Sequence, residues 1–222
     1  VFMVLPETRP AHTQGGRSLW AVLKIYGGVL SHRRFLGLSV SRGLAQAGLF
    51  AYITGSPFVF ITLHGVPPQH FGWLFGLNAV GIIGASQLNV RLLRKHAPES
   101  ILRRSLSALG VVGVLMFGAS LLPLSFGVPG FVALLVPLWF MMGLIGLVQP
   151  NSTVLALQPF GDRAGSASAL LGTLMFAIAS VVSSLMALFH DGTARPMGGA
   201  IFATMLLALA AYHGLARHGH KD

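Results

Sequence analysis

Ionisable and nucleophilic side chains are scarce in this 222-residue sequence, so the chemistry open to it is quickly bounded. The acids are Glu7, Glu99, Asp162, Asp191 and Asp222, and there is no cysteine. Thiolate metal sites, thiol nucleophiles and disulfides therefore fall away. The histidines do not recur at metal-ligand spacing within any helix-length segment, so no metal or other cofactor is expected. Serine, histidine and acid are nowhere gathered in one apolar stretch as hydrolytic chemistry requires, and the chain does not read as an enzyme.

What remains is recognition by a few polar groups set in apolar sequence. Arg42 stands eight residues beyond Arg34, at the edge of a long apolar run. Its side chain either reaches back toward an interface or pairs with an acid or anionic group held elsewhere. Asn78 and Asn89 are eleven residues apart, which returns to nearly the same helix face, so they share one stripe. That stripe either lines a cavity or bonds a neighbouring helix. Gln149 and Thr153 share a face around Pro150 and Asn151, where the proline removes a backbone donor and frees a carbonyl one turn earlier. Phe50, Tyr52, Ser56, Pro57 and Phe58 combine aromatic area with a second bend, as suits an apolar pocket with few polar anchors. Gly165, Ala169, Gly172, Phe176, Ala179 and Ser183 fall on one helical face whose small residues favour close helix packing.

The elements that must hold these groups are membrane helices. Hydrophobic residues make up 54% of the chain, charged residues 9%, and the mean hydropathy is +0.74. Soluble domains usually carry about 25% charged residues, so a water-soluble core is excluded. A helix needs about 20 apolar residues to cross roughly 30 Å of hydrocarbon. Six stretches qualify: Gly43–Thr62, Phe71–Arg91, Ser105–Phe126, Phe131–Leu157, Ala164–Phe189 and Met197–Leu215. The runs are continuously apolar rather than alternating, which excludes a β-barrel. The expected fold is an all-α membrane bundle over 35–216, preceded by a polar segment, 1–34, and followed by a short tail, 217–222. Val1–Leu5 reads as the end of a helix that begins upstream, and the rest of 1–34 as a cytoplasmic linker.

Charge distribution sets the sidedness. Arg9, Arg17, Lys24, Arg33 and Arg34 precede the first span; Arg91, Arg94, Lys95, Arg103 and Arg104 separate the second from the third; Arg163, Arg217 and Lys221 occupy later joints of the same parity. The opposite joints hold Arg195 alone. By the positive-inside rule both ends are cytoplasmic, with the bundle in a bacterial inner membrane. The net charge of +10 lies in these joints and forms no aromatic-interleaved basic face, so no nucleic-acid partner is expected.

Several segments resemble one transporter family. LPETRP (5–10) resembles the end of the sixth helix in drug exporters of the major facilitator superfamily, and FAYITGSPFVF (50–60), GVPPQHFGWLFGLN (65–78), NVRLLRKHAPESILRRS (89–105), QPNSTVLAL (149–157) and AGSASALLGTLMF (164–176) look like the second half of its bicyclomycin-resistance type (Bcr/CflA) members. The resemblance implies a twelve-helix proton–drug antiporter of which this is the C-terminal six-helix half. The implied partners are a small lipophilic substrate, protons, the bilayer and an N-terminal six-helix half. Substrate contacts are expected from Phe50, Tyr52, Phe58, Asn78, Gln149, Asn151 and Phe176. Gating or charge pairing is expected from Arg42, Pro57, Pro150 and Arg91. The loop after the second span keeps Arg91, Arg94 and Lys95 but lacks the aspartate that precedes such residues in the superfamily signature. Every acid lies in a loop or tail of the expected topology, so a proton-coupling carboxylate would have to come from the other half. The runner-up readings are a major facilitator permease for a sugar or amino acid and a membrane subunit that transports nothing. A lone half is also expected to be poorly stable.

Overall fold

The computed structural model describes residues 19–189 and 191–216. The expected upstream helix end, the acids Glu7 and Asp222, and the basic residues Arg9, Arg17, Arg217 and Lys221 lie outside them. Among the described residues the fold is entirely helical, with α1 Leu19–Leu30, α2 Arg33–Ser56, α3 Pro68–Leu92, α4 Pro98–Ser120, α5 Gly127–Leu157, α6 Ala164–Leu188 and α7 Arg195–Ala211. Helices α2 and α7 run on as π-helical segments, Pro57–Leu63 and Tyr212–Ala216. Six helices are long and apolar enough to cross a membrane, and α1 lies within the polar segment that precedes them.

Several helices start before the apolar stretch that announces them. Helix α2 begins at Arg33 rather than Gly43, and α4 at Pro98 rather than Ser105. Hydropathy marks only the hydrocarbon portion, whereas backbone hydrogen bonding continues into polar turns that have a cap. His32 supplies one: its Nδ1 accepts from the Phe35 N–H at 3.3 Å. Pro68 and Pro98 open α3 and α4 at a position where a missing N–H costs nothing. Glu99 therefore stands in the first turn of α4 rather than in a loop, and its carboxylate pairs with Arg34 at the start of α2. Pro57, which has no N–H to continue the ladder, opens the wider π-helical turn that ends α2, where the His64 N–H reaches back to the Val59 carbonyl at 3.2 Å.

Four helices form the core. α2 packs against α5 and α7, and α4 closes the ring by packing against the same two. Tyr52, Phe60, Leu106, Leu109, Met141, Met142, Ile201 and Met205 are fully buried within it. Close approach needs glycine at two crossings. A Cβ on Gly37 would lie 2.5 Å from the Ala216 nitrogen, and one on Gly146 would lie 2.6 Å from the Ile82 carbonyl oxygen. The remaining two spans are outriggers: α3 lies on α5, and α6 lies on α2. Only 11% of the apolar window of each is buried, against 33–50% for the other four.

The basic joints gather at one end of the bundle. Arg34, Glu99, Arg103, Tyr212 and Ala216 line one cavity there, and Phe160 of the α5–α6 joint packs edge-on against His32 and Phe35. His64, Leu122, Gly192 and Arg195 line a second cavity at the opposite end.

Candidate functional site

Because α3 and α6 flank α5 and α2 without meeting, they leave an open trough whose floor is α2 and α5. On α2, Ser41, Gly48 and Gly55 face α7, while Gly43 and Phe50 face α6. The helical spacing of Arg42, Gln46, Leu49 and Ile53 then turns that stripe into the trough. Ile53 is 42% exposed along it.

A polar step crosses the floor. Gln149 of α5 donates from Nε2 to Oε1 of Gln46 on α2, joining the two floor helices. Gln149 Oε1 is buried without a hydrogen-bond partner, and so is Nε of Arg42, one turn along α2 from Gln46. Beside them Phe50 meets the exposed Phe176 of α6 edge-on, with ring centroids 6.1 Å apart. The trough thus offers a guanidinium, an amide pair with a spare acceptor and an aromatic wall, in otherwise apolar surroundings. Such a set suits a largely apolar ligand held by a few polar contacts.

The other expected residues divide. Tyr52, Asn78 and Asn151 are turned inward: the Asn78 amide donates to the Tyr52 hydroxyl at 2.9 Å, and Asn151 donates to Asn89 Oδ1 at 2.7 Å. The shared stripe on α3 therefore rivets that helix to α2 and α5 through two buried amides. Pro150 behaves as its chemistry requires. The Gly146 carbonyl one turn back, which a normal residue at position 150 would bond, accepts from Ser86 of α3 at 3.2 Å. Phe58 is set apart, lining a cavity of about 240 Å³ with Gly55, Met186 and Met197 near the end opposite the basic joints. Pro57 is exposed at the start of the π-helical segment, and Arg91 is exposed in the last turn of α3. Gly165 and Gly172 face open space, so the close packing expected of that α6 face is not made by these residues within the bundle. It is made from the other side, where a Cβ on Gly43 of α2 would lie 2.7 Å from the Ile178 side chain.

Gln46 and Ser86 did not stand out in the sequence. Gln46 had one signal, an amide a single turn from the intramembrane arginine. Ser86 had none, because its partner is a carbonyl exposed by a proline on a different helix. Among the described residues no group of histidines and acids is arranged to hold a metal ion.

No protein-family model matches the chain. It is 34% identical over 213 residues to the uncharacterized MFS-type transporter YdgK of Bacillus subtilis (strain 168), an alignment covering 96% of this chain and 52% of that protein. It is 29% identical over 222 residues to a bicyclomycin resistance protein homolog of Haemophilus influenzae, covering 100% of this chain and 54% of the relative. The chain spans about half the length of the curated relatives it matches.

Proposed function

The chain belongs to the major facilitator superfamily, as a multi-pass six-helix bundle of the kind that forms the C-terminal half of those transporters, and on that premise we propose that it serves an exporter of small amphipathic molecules. Export proceeds by proton antiport with alternating access, two six-helix bundles rocking about a site at the bilayer midplane. The basic joints face the cytoplasm of a bacterial inner membrane. An N-terminal six-helix half covers the trough between α3 and α6. The name of the Haemophilus relative, a bicyclomycin resistance protein homolog, supports drug efflux over nutrient uptake.

The observation that carries this reading is the trough itself: a nearly bare pair of outrigger helices beside a floor that mixes aromatic and polar groups. Phe50, Phe176 and Gln149 contact substrate there, while Tyr52, Asn78 and Asn151 act behind them by fixing the wall. Arg42, whose Nε is buried and unbonded, pairs with a carboxylate of the opposing half or with an anionic substrate group. Among the described residues no carboxylate stands in the apolar portion of a span, so the proton-carrying acid also comes from the opposing half.

The full-length protein, expressed in a pump-deficient bacterium, is expected to lower accumulation of a lipophilic cationic dye. An uncoupler should abolish the effect, and Arg42→Gln should blunt it. Efflux that persists with the uncoupler removes proton antiport. A protein that moves no dye but takes up a sugar or amino acid is a metabolite permease, and one that moves neither is a non-transporting subunit.

A further inference from the structure

The α3–α4 hairpin leaves a second opening, on the flank of the bundle rather than in the trough. Both helices lie on α5 but scarcely touch each other, which leaves a gap between them beside their joint at the basic end. The cleft between them has a volume of about 280 Å³. Leu92, Ile101, Ala108 and Leu144 form its apolar walls, and His96 and Arg104 stand among its lining. The His96 Nδ1 is buried and has no hydrogen-bond partner. Arg104 makes no ion pair among the described residues, and Glu99, in the first turn of the same helix, is paired with Arg34 at the other cavity. The α3–α4 joint that carries His96 also holds Arg94 and Lys95 and no acid. A narrow apolar slot crowned by an unsatisfied imidazole and a free guanidinium, at the level where a helix leaves the hydrocarbon, matches one abundant molecule. Phospholipid has an acyl chain to fill the slot and a phosphate to meet the cations.

We propose that this cleft is a seat for an anionic phospholipid, its phosphate held by Arg104 and His96 and one acyl chain lying against Ile101, Ala108 and Leu144. The site is separate from the trough and does not depend on what the protein transports. Charge complementarity selects the head group, and shape selects lipid over a free anion.

Native mass spectrometry of the full-length protein in detergent tests this with phosphatidylglycerol and phosphatidylcholine of identical chains. Phosphatidylglycerol should be retained at least about fivefold better, as expected where charge-assisted contacts decide. Arg104→Gln should reduce that retention to the phosphatidylcholine level. Ala108→Trp, which fills the slot and leaves every charge in place, should also abolish it, with Leu144→Trp as a second filler should the first disturb folding. Arg163→Gln, in the α5–α6 joint away from the cleft, should leave retention unchanged, and millimolar inorganic phosphate should not displace the lipid. Equal retention of the two lipids, full retention in folded Arg104→Gln or in both folded fillers, or displacement by inorganic phosphate would overturn the proposal.

Discussion

The two outriggers are equally bare of neighbours yet are fastened in different ways. Helix α3 is riveted: Asn78 bonds Tyr52, Asn89 accepts from Asn151, Ser86 donates to the Gly146 carbonyl, and Trp139 donates to the Leu77 carbonyl. Among the described residues no side chain of α6 hydrogen-bonds another helix. Its Thr173 hydroxyl bonds within the helix, and its Ser183 hydroxyl is buried without a partner. Helix α6 is held instead by apolar contact with α2, at Gly43 against Ile178 and Phe50 against Phe176. In lipid a hydrogen bond between helices contributes about 0.6 kcal/mol on average but fixes register, whereas apolar packing competes with equally apolar lipid tails. One wall of the trough is therefore tied to its floor by hydrogen bonds, and the other is held to it by apolar packing alone.

The sharpest way to break this comparison is to wedge each wall with the same side chain. Gly146→Leu forces a side chain into the Ile82 carbonyl and should lower the stability of the full-length protein in detergent by about 3 kcal/mol or more, read by thermal unfolding. Gly43→Leu on α2, which meets the movable end of the Ile178 side chain of α6 rather than a backbone carbonyl, should cost less; equal losses would end the distinction. A second contrast removes polar groups. Asn151→Leu leaves the buried Asn89 without its donor and should cost about 1 to 2 kcal/mol. Ser183→Ala deletes a hydroxyl that bonds nothing and should stay within about 0.5 kcal/mol of wild type. A smaller effect sharpens the picture of α6: a double-mutant cycle of Phe50→Ala and Phe176→Ala should yield a coupling of about 0.5 to 1 kcal/mol, as edge-on aromatic pairs do, and no coupling would mean that this contact does not hold α6 to α2.

The smallest expected effect lies in the joint between α2 and α3. Partial burial pushes the His64 imidazole below its ordinary value, since desolvation disfavours the cation. The folded protein thus favours neutral His64, and its contribution to stability is complete above the ordinary histidine pKa of about 6.5. Stability should decline slightly as pH falls through that value toward the lower folded one. His64→Gln should flatten this part of the pH profile, and an unchanged profile would assign the dependence to another group.

Much of the fold was legible because bilayer thickness and backbone satisfaction leave a long apolar run almost no alternative to a helix. The six spans, their order and the gathering of basic joints at one end all follow from that constraint. The π-helical turn at Pro57 and the carbonyl freed by Pro150 follow from the missing proline donor, although the sequence named only the bends. The site was legible only by residue type. Asn78, Gln149, Phe50 and Phe176 were all marked as polar or aromatic groups in apolar sequence, yet nothing local distinguished an amide that rivets a helix from one that faces a trough. That choice depends on which helix lies alongside, and six similar greasy helices can be packed in many orders at nearly equal hydrophobic gain. The sequence alone determined that this chain crosses a membrane and which ends of its helices carry charge. Only the tertiary structure decided that α3 and α6 stand outside, that Gln46 meets Gln149 across the floor, and that Asn89 meets Asn151 behind the wall, because close approach and side-chain pairing between helices depend on neighbours distant in sequence.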